Sequence, residues 1–530
     1  MKYPIGIQSF EKIRTEEYVY IDKTSLIYSL ANEGSVYFQS RPRRFGKSLL
    51  VSTLEAYFEG KKELFEGLAI EKLEREWKRH PVFHIDFNGD DYLESGSLED
   101  AIEGYLRDWE KQYGIESVFG SYGRRFAKVL SEAHRQTGQK AVVLIDEYDK
   151  PILDVLDTEK TVNRQGEIIT LEENNRRILK AFYSTFKLAD DDLCFVLLTG
   201  VTKFSQVSVF SGFNQPLDIS MSNDYETLCG ITQDEIESYF DAEVGYMAKR
   251  YGYTKEEMYK VLKLQYDGYH FSDNLTGVYN PFSLLNALSE KRMDDYWFKT
   301  GTPTYLIKLM NHFHEGLDEM TGKYYTPDEF VDYKADVERP LPMIYQSGYL
   351  TIKDFKLRRG TFLLDFPNNE VKRGFLTLTA NNYLKSKESA NSWLQESVDA
   401  LDVGDLEAFR THLTSFLASI PYSMRRKEDE RERERYFHYT FYLLMRLISV
   451  YTVYTEKEQS QGRVDCIVET DDNVYIFEFK LDGTAEEAIK QIEDKGYAKP
   501  YAGGKRKVYK IGVSFSSETG TVEGWKAEEA

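Results

Sequence analysis

The chain has 530 residues, of which 41% are hydrophobic, 14% aromatic and 29% charged; this excludes disorder throughout and, at roughly 100 to 200 residues per domain, predicts about three or four domains. Its 68 Lys and Arg against 88 Asp and Glu give a net charge of −20, so a polyanion is repelled by most of the surface and any nucleic-acid site has to be local. The three cysteines, Cys194, Cys229 and Cys466, are far apart and form no CxxC pair, which points to neither a disulfide framework nor a Cys-based zinc site. MKYPIGIQSF has no apolar core of signal-peptide length, and runs such as AVVLI and LCFVLL are too short for a bilayer. The expectation is a cytoplasmic protein with no membrane contact.

Up to about residue 220, short β-rich runs alternate with helix-like stretches. The runs are VYFQS at 36–40, VFHIDF at 82–87, AVVLID at 141–146 and LCFVLLT at 193–199, and the helical spacings fall at 47–58, 97–113, 123–136 and 171–187. That alternation predicts a parallel α/β sheet with crossover helices. From 231 the pattern turns mostly helical, with a Thr-x-x-Glu start at Thr232 and Glu235 and with Pro281 near a first turn; this reads as a helical lid over 231–337. Over 338–420 a helix, short strands and a turn at Pro367, Asn368 and Asn369 suggest a winged-helix-like piece followed by helical linker. The eleven consecutive charges of RRKEDERERER at 425–435 read as a solvated helix face. The last stretch, 421–530, returns to strands: VYTVYT at 450–455, RVDCIVE at 463–469, VYIFEFKL at 474–481 and KVYKIGVSF at 507–515, with a helix at 484–496. The expected domains are therefore 1–230, 231–337, 338–420 and 421–530.

Two constellations carry chemistry. The first is RPRRFGKS at 41–48, between a predicted strand and a predicted helix, where GKS offers backbone N–H groups to phosphate at a helix N-terminus. It resembles a Walker A loop: Gly46 lets phosphate approach, Lys47 neutralises it, and Ser48 offers its hydroxyl to Mg²⁺. Arg41 stands where the first glycine of that motif usually is, so a left-handed conformation there would carry a cost. Arg43 and Arg44 either touch phosphate or are simply solvated. Asp146 and Glu147 close the AVVLIDE run, where Asp146 would hold Mg²⁺ and Glu147 would act as general base; the plainer reading is a pair of acids capping a strand before Pro151. VFHIDF falls between these two strands in sequence, which implies an extra strand between them. Thr199, at the end of LCFVLLT, is the candidate γ-phosphate sensor, with Thr202 in reserve and an ordinary strand-ending threonine as the alternative.

The second constellation is VYIFEFKL. Alternation puts Ile476, Glu478 and Lys480 on one face and Phe477 and Phe479 on the other. Asp465 lies thirteen residues before Glu478, and pairing of the two runs would bring two carboxylates together, a natural seat for Mg²⁺ or Mn²⁺. Lys480 would then stabilise the nucleophile of a phosphodiester cleavage; a cross-strand ion pair is the plainer reading. The residues from 421 to 530 hold 18 Lys and Arg against 21 Asp and Glu, so this end is nearly neutral. KRKVYK at 505–510 either meets backbone phosphate or is the solvated start of a strand.

YVYIDKTSLI at 18–27, SRPRRFGKS, LIDEYDKPIL at 144–153 and LLTGVTKFS at 197–205 together resemble the bacterial AAA-ATPase-like family. GRVD at 462–465 and EFKL at 478–481 resemble the PD-(D/E)XK nuclease-like domain commonly found at its C-terminus. The resemblance implies an α/β architecture: a P-loop NTPase parallel-sheet domain, a helical lid and an αβββαβ nuclease-like domain. It implies that Lys47, Ser48, Asp146 and Glu147 serve ATP and Mg²⁺ and that RPRRFGKS, with Arg41, is normal for the family. It also implies that Glu434 adds a carboxylate to the nuclease metal and that Gln491 contacts the site; a helix-surface pairing of Glu434 with His438 is the alternative. The roles of Asp22 and Lys23 stay open. The expected function is an ATPase coupled to a metal-dependent nuclease acting on nucleic acid, DNA in the first instance, with a homo-oligomer able to supply an arginine to the ATP site. The alternatives are a nucleotide-switched protein whose last domain binds without cutting, and a multi-domain scaffold.

Overall fold

The computed structural model describes residues 1–116, 120–156, 158–164, 166–203, 216–300, 320–331, 340–384, 390–419, 466–470, 472–501, 503–516, 518–519 and 521–530. The chain divides into two compact units, the described residues up to Glu370 in the first and those from Val371 onward in the second. Among the described residues no helix is long and apolar enough to cross a membrane.

The first unit opens with helices α1 (Phe10–Thr15) and α2 (Thr24–Glu33) and is built on a five-stranded parallel sheet. Its strands are β1 (Val36–Ser40), β2 (Val82–Asp86), β3 (Ala141–Asp146), β4 (Leu193–Gly200) and β5 (Leu217–Asp218), in the spatial order β2-β3-β4-β1-β5. The connecting helices include α3 (Lys47–Phe58), α4 (Ser97–Gln112), α5 (Tyr122–Thr137) and α6 (Leu171–Tyr183). One expectation about order changes. The strand that separates β1 from β3 is β4, and VFHIDF forms β2 at the sheet's edge. Burial gives the reason: β3 and β4 are apolar on both faces and almost wholly buried, whereas β2 alternates buried with half-buried positions, and continuous apolar strands take the centre of a parallel sheet.

Helices α7 (Gln233–Tyr251), α8 (Lys255–Tyr266) and α9 (Pro281–Glu290) come next in the same unit. Thr232 with Glu235 and Thr254 with Glu257 form capping boxes at the starts of α7 and α8, and Pro281 opens α9 behind an Asn280 cap. Ile236, Phe240, Leu262, Leu284 and Leu288 build the core of this layer, against which Tyr3, Ile5, Val19 and Ile21 of the N-terminal segment also pack. A small antiparallel sheet follows, of β6 (Lys323–Tyr325), β7 (Thr351–Lys356) and β8 (Thr361–Asp365), ordered β6-β8-β7, with a short helix, Leu341–Gln346, between β6 and β7 in the chain.

Helix α10 (Asn369–Leu384) begins at the end of the first unit, and α11 (Ala390–Asp402) and α12 (Leu406–Ser419) lie in the second. The second unit's sheet runs β9 (Cys466–Glu469), β10 (Asn473–Leu481), β11 (Lys507–Phe515), β12 (Val522–Glu529). β10 and β11 are parallel, joined by α13 (Ala485–Lys495), and β9 and β12 are antiparallel to their neighbours. One face packs Val474 and Ile476 on Ile489 and Ile492 of α13. The other sets Phe477 against Phe409 of α12, with ring centroids 5.8 Å apart, and ties the Tyr475 hydroxyl to the Leu401 carbonyl of α11 at 2.5 Å. These helices fall in the segment expected to be a linker; here they cover the sheet's second face.

Candidate functional site

The loop between β1 and α3 owes its shape to two left-handed residues, Arg44 (φ 67°) and Gly46 (φ 91°), of which Gly46 caps α3. Arg41 has no positive φ, so the cost expected for a non-glycine there does not arise: the left-handed turns sit three and five positions later. The Arg41 guanidinium is instead a buried strut. It donates to the carbonyls of Ser40 and Ser220 at 2.9 and 2.7 Å and lies 4.0 Å from the centroid of the Phe271 ring. Arg43 and Arg44 are exposed, and the Arg44 guanidinium lies 5.3 Å from the Phe282 ring centroid.

Lys47 is the first residue of α3 and is 4% exposed. Its ammonium donates to the carbonyls of Arg41 and Pro42 at 3.2 and 3.4 Å and lies 3.5 Å from Oε1 of Glu147. Ser48 sits on the first turn of the same helix, half-buried. Across the sheet, Asp146 ends β3 and is buried, and Thr199 near the end of β4 donates its hydroxyl to Asp146 Oδ1 at 2.6 Å. Glu147 has φ 50°, a strained conformation of order 1 kcal/mol for a residue with a side chain, and it turns the carboxylate to Lys47. The structure thus brings Lys47, Asp146, Glu147 and Thr199 together at the C-terminal edge of the parallel strands, where such sheets bind ligands.

Two further residues in LIDEYD complete this edge. Tyr148 donates its hydroxyl to the Thr202 carbonyl at 2.8 Å. Asp149 Oδ2 accepts from the N–H groups of Val201 and Thr202 at 3.0 and 2.6 Å and from the Thr202 hydroxyl at 2.7 Å. Thr202 is therefore engaged by Asp149, while Thr199 faces Asp146. Burial, and then the charge of Glu147, push the Asp149 carboxyl up to about 6. Sequence reasoning misses Asp149, although a third acid within four residues of Asp146 is a visible signal. Asp22 and Lys23 tie elements together: Asp22 accepts from the N–H groups of Thr24 and Ala69 at 2.9 and 2.7 Å, and Lys23 pairs with Glu235 at the start of α7 at 2.7 Å.

In the second unit Glu478 is 1% exposed and shares one sheet face with Lys480, as alternation predicts. Gln491 of α13 bridges them: its amide nitrogen donates to Glu478 Oε1, and its amide oxygen accepts from Lys480 at 2.6 Å. The Lys480 ammonium itself is 4.0 Å from Glu478. Asp465, Glu434 and His438 lie outside the described residues. Arg506 pairs with Glu469 at 2.6 Å, and Lys510 with Glu493 at 2.7 Å and Glu528 at 3.5 Å, so acids of the same sheet and helix offset much of KRKVYK. Among the described residues no group of three or more His, Cys, Asp or Glu is placed to hold a metal.

The sequence model of the predicted AAA-ATPase family matches residues 4–210, a stretch that includes Lys47, Ser48, Asp146, Glu147 and Thr199. The PD-(D/E)XK nuclease superfamily model matches residues 432–525, which include Glu434, Asp465, Glu478, Lys480 and Gln491. An uncharacterized protein in the vnfD 5' region of Azotobacter chroococcum mcd 1 is 35% identical over 538 residues, covering 99% of both chains. The chain belongs to the AAA-ATPase-like family. As an AAA-ATPase-like protein it carries a P-loop-type parallel sheet at one end and a PD-(D/E)XK nuclease superfamily domain at the other.

The donors at the AAA-ATPase-like edge suit a nucleotide with a hard cation. Ser48 and Asp146 offer oxygen, and a side chain at Gly46 would meet nothing within 4 Å, so the space beside the loop's backbone is open.

Proposed function

We propose that the chain binds and hydrolyses ATP with Mg²⁺ in residues 1–230, under the helical layer of 231–337, and that residues 421–530 cleave nucleic-acid phosphodiesters, DNA in the first instance, with Mg²⁺ or Mn²⁺. The observation that carries the reading is the Lys47–Glu147 pair at 3.5 Å beside an Asp146 pinned by Thr199. On this reading Gly46 and the start of α3 receive the phosphates, Arg44 lies on the loop's outer side, and Lys47 neutralises the β and γ groups. Ser48 and Asp146 hold the cation, which when bound neutralises phosphate oxygens. Phosphate competes for the Lys47 ammonium, so its arrival frees the Glu147 carboxylate to take a proton from the attacking water. Thr199, fixed to Asp146, contacts the γ-phosphate from β4.

For the second unit the supporting fact is the Glu478–Gln491–Lys480 bridge. The last described rung of the β9–β10 ladder pairs Cys466 with Phe477; the proposal extends it by one rung, setting Asp465 across from Glu478. Asp465 and Glu478, with Glu434, would hold the metal, and Lys480 would stabilise the nucleophile. A homo-oligomer in the cytoplasm, one subunit lending an arginine to its neighbour's ATP site, belongs to the same proposal.

The test incubates the purified chain with plasmid, single-stranded DNA and RNA, with Mg²⁺ or Mn²⁺ and with or without ATP, beside Lys47→Ala and Lys480→Ala. Cleavage lost in Lys480→Ala with ATP turnover retained, and the converse loss of turnover in Lys47→Ala, support two sites. Equal cleavage by wild type and Lys480→Ala rejects the nuclease assignment. ATP bound but never turned over favours a nucleotide switch.

A further inference from the structure

The phosphate-loop side of the first unit is held by residues that lie between the two family matches. Phe45 of the loop packs edge-on against Tyr269 and Phe271, at 4.7 and 5.5 Å between ring centroids. More telling is Trp297. Its indole Nε1–H donates to the Arg43 carbonyl at 3.1 Å, its ring packs on Tyr349 at 5.1 Å, and its main-chain N–H donates to Glu370 Oε1 at 2.6 Å. Glu370 is 1% exposed and is the last residue of the first unit; it lies in the first turn of α10, whose next residue, Val371, belongs to the second. A carboxyl group so buried needs hydrogen-bond partners, and Trp297 supplies one of them.

In a trans peptide the C=O and the adjoining N–H point in opposite directions. Holding the Arg43 carbonyl toward Trp297 therefore aims the Arg44 N–H to the other side of the loop. Arg44 is also one of the two left-handed residues that shape the loop, so reorienting the Arg43–Arg44 peptide and keeping the Trp297 bond exclude one another. The two hydrogen bonds of Trp297 thus run from the loop at one end to Glu370, beside the chain's entry into the second unit, at the other.

We propose that Trp297 is a positioning residue for the phosphate loop and that the Arg43–Trp297–Glu370 hydrogen bonds report the state of that loop at Val371. The proposal rests on the nucleotide reading of the first unit. It concerns a contact between residues 254 positions apart, and it assigns the first unit a specific exit through which nucleotide acts on the chain beyond Val371.

The test uses the full chain as wild type, Trp297→Phe, Glu370→Gln, Glu370→Ala and Lys47→Ala. Three quantities are read: binding of a fluorescent ATP analogue, steady-state ATP turnover, and amide hydrogen exchange over 371–379 with and without Mg²⁺ and ATP. In wild type, nucleotide changes exchange over 371–379. Trp297→Phe keeps an aromatic ring beside Tyr349 and loses the donor, so kcat falls about five- to tenfold, the scale of one hydrogen bond, KM moves less, and the exchange response disappears. Glu370→Gln retains an oxygen that accepts from Trp297 and keeps the response; Glu370→Ala loses it. Should Trp297→Phe fail to fold by thermal melting, the Glu370→Gln and Glu370→Ala pair decides alone. Nucleotide-bound Trp297→Phe with wild-type kcat and a wild-type exchange response overturns the relay and leaves the ATPase reading standing, as does a wild type that turns ATP over with no change at 371–379. Wild type that binds the analogue no better than Lys47→Ala overturns the nucleotide reading itself.

Discussion

Thr199 reaches from β4 to Asp146 at the end of β3, its hydroxyl 2.6 Å from the carboxylate, with both side chains buried. The acid proposed to hold the cation and the hydroxyl proposed to contact γ-phosphate thus move as one. Thr199→Val keeps the shape and removes the donor, which costs about 1–3 kcal/mol of stability at a buried carboxylate. It should lower ATP turnover by about tenfold or more, and Thr199→Ser should recover most of both losses. Thermal unfolding and steady-state turnover measure the two effects.

Asp149 gives a pH prediction. Burial, and then the Glu147 charge, disfavour its ionised form and push the carboxyl up to about 6, from an ordinary value near 4. Folded chains therefore hold that proton more tightly than unfolded ones between about pH 4 and pH 6. Stability is gained below this window and falls as pH rises through it, then stays level. Asp149→Asn should remove this slope when denaturant unfolding is compared at pH 4.5, 5.5 and 7. An unchanged difference between pH 4.5 and pH 7 contradicts the assignment.

Arg41→Gly restores the residue that the common phosphate-loop motif carries, and yet it should harm the protein. The guanidinium fills the space beside Phe271 and satisfies the Ser40 and Ser220 carbonyls. Its removal leaves a cavity and unpaired acceptors, about 2–4 kcal/mol together. A melting temperature equal to that of wild type would show that the strut does nothing.

Gln491 orients both Glu478 and Lys480. Gln491→Ala should reduce nucleic-acid cleavage about 10- to 100-fold, as is usual when a residue supporting a metal ligand is lost, and should leave ATP turnover unchanged. Both assays are run on one preparation.

Much of this architecture is legible in the chain itself. Apolar runs locate β1 and β11 to the residue, and Thr232 and Pro281 announce helix starts that capping residues do mark. Alternation in VYIFEFKL puts Glu478 and Lys480 on one face because strand geometry leaves no other choice. What sequence does not supply is spatial order and distance. β2 and β4 are both apolar strands, and only burial on two faces distinguishes centre from edge. β12, reading VEGWKAEE, is an exposed-edge strand with no apolar run to signal it. Arg41 looks like a defective glycine because its partners, Ser220 and Phe271, are remote in sequence, and nothing local to Trp297 announces Arg43.

The most direct test is ATP turnover with Mg²⁺ by wild type, Lys47→Ala and Glu147→Gln, with ATP binding measured in parallel. The account predicts that wild type binds and hydrolyses ATP, that Lys47→Ala loses binding, and that Glu147→Gln binds ATP normally while hydrolysing it about 100-fold more slowly. Hydrolysis by Glu147→Gln at the wild-type rate would contradict it.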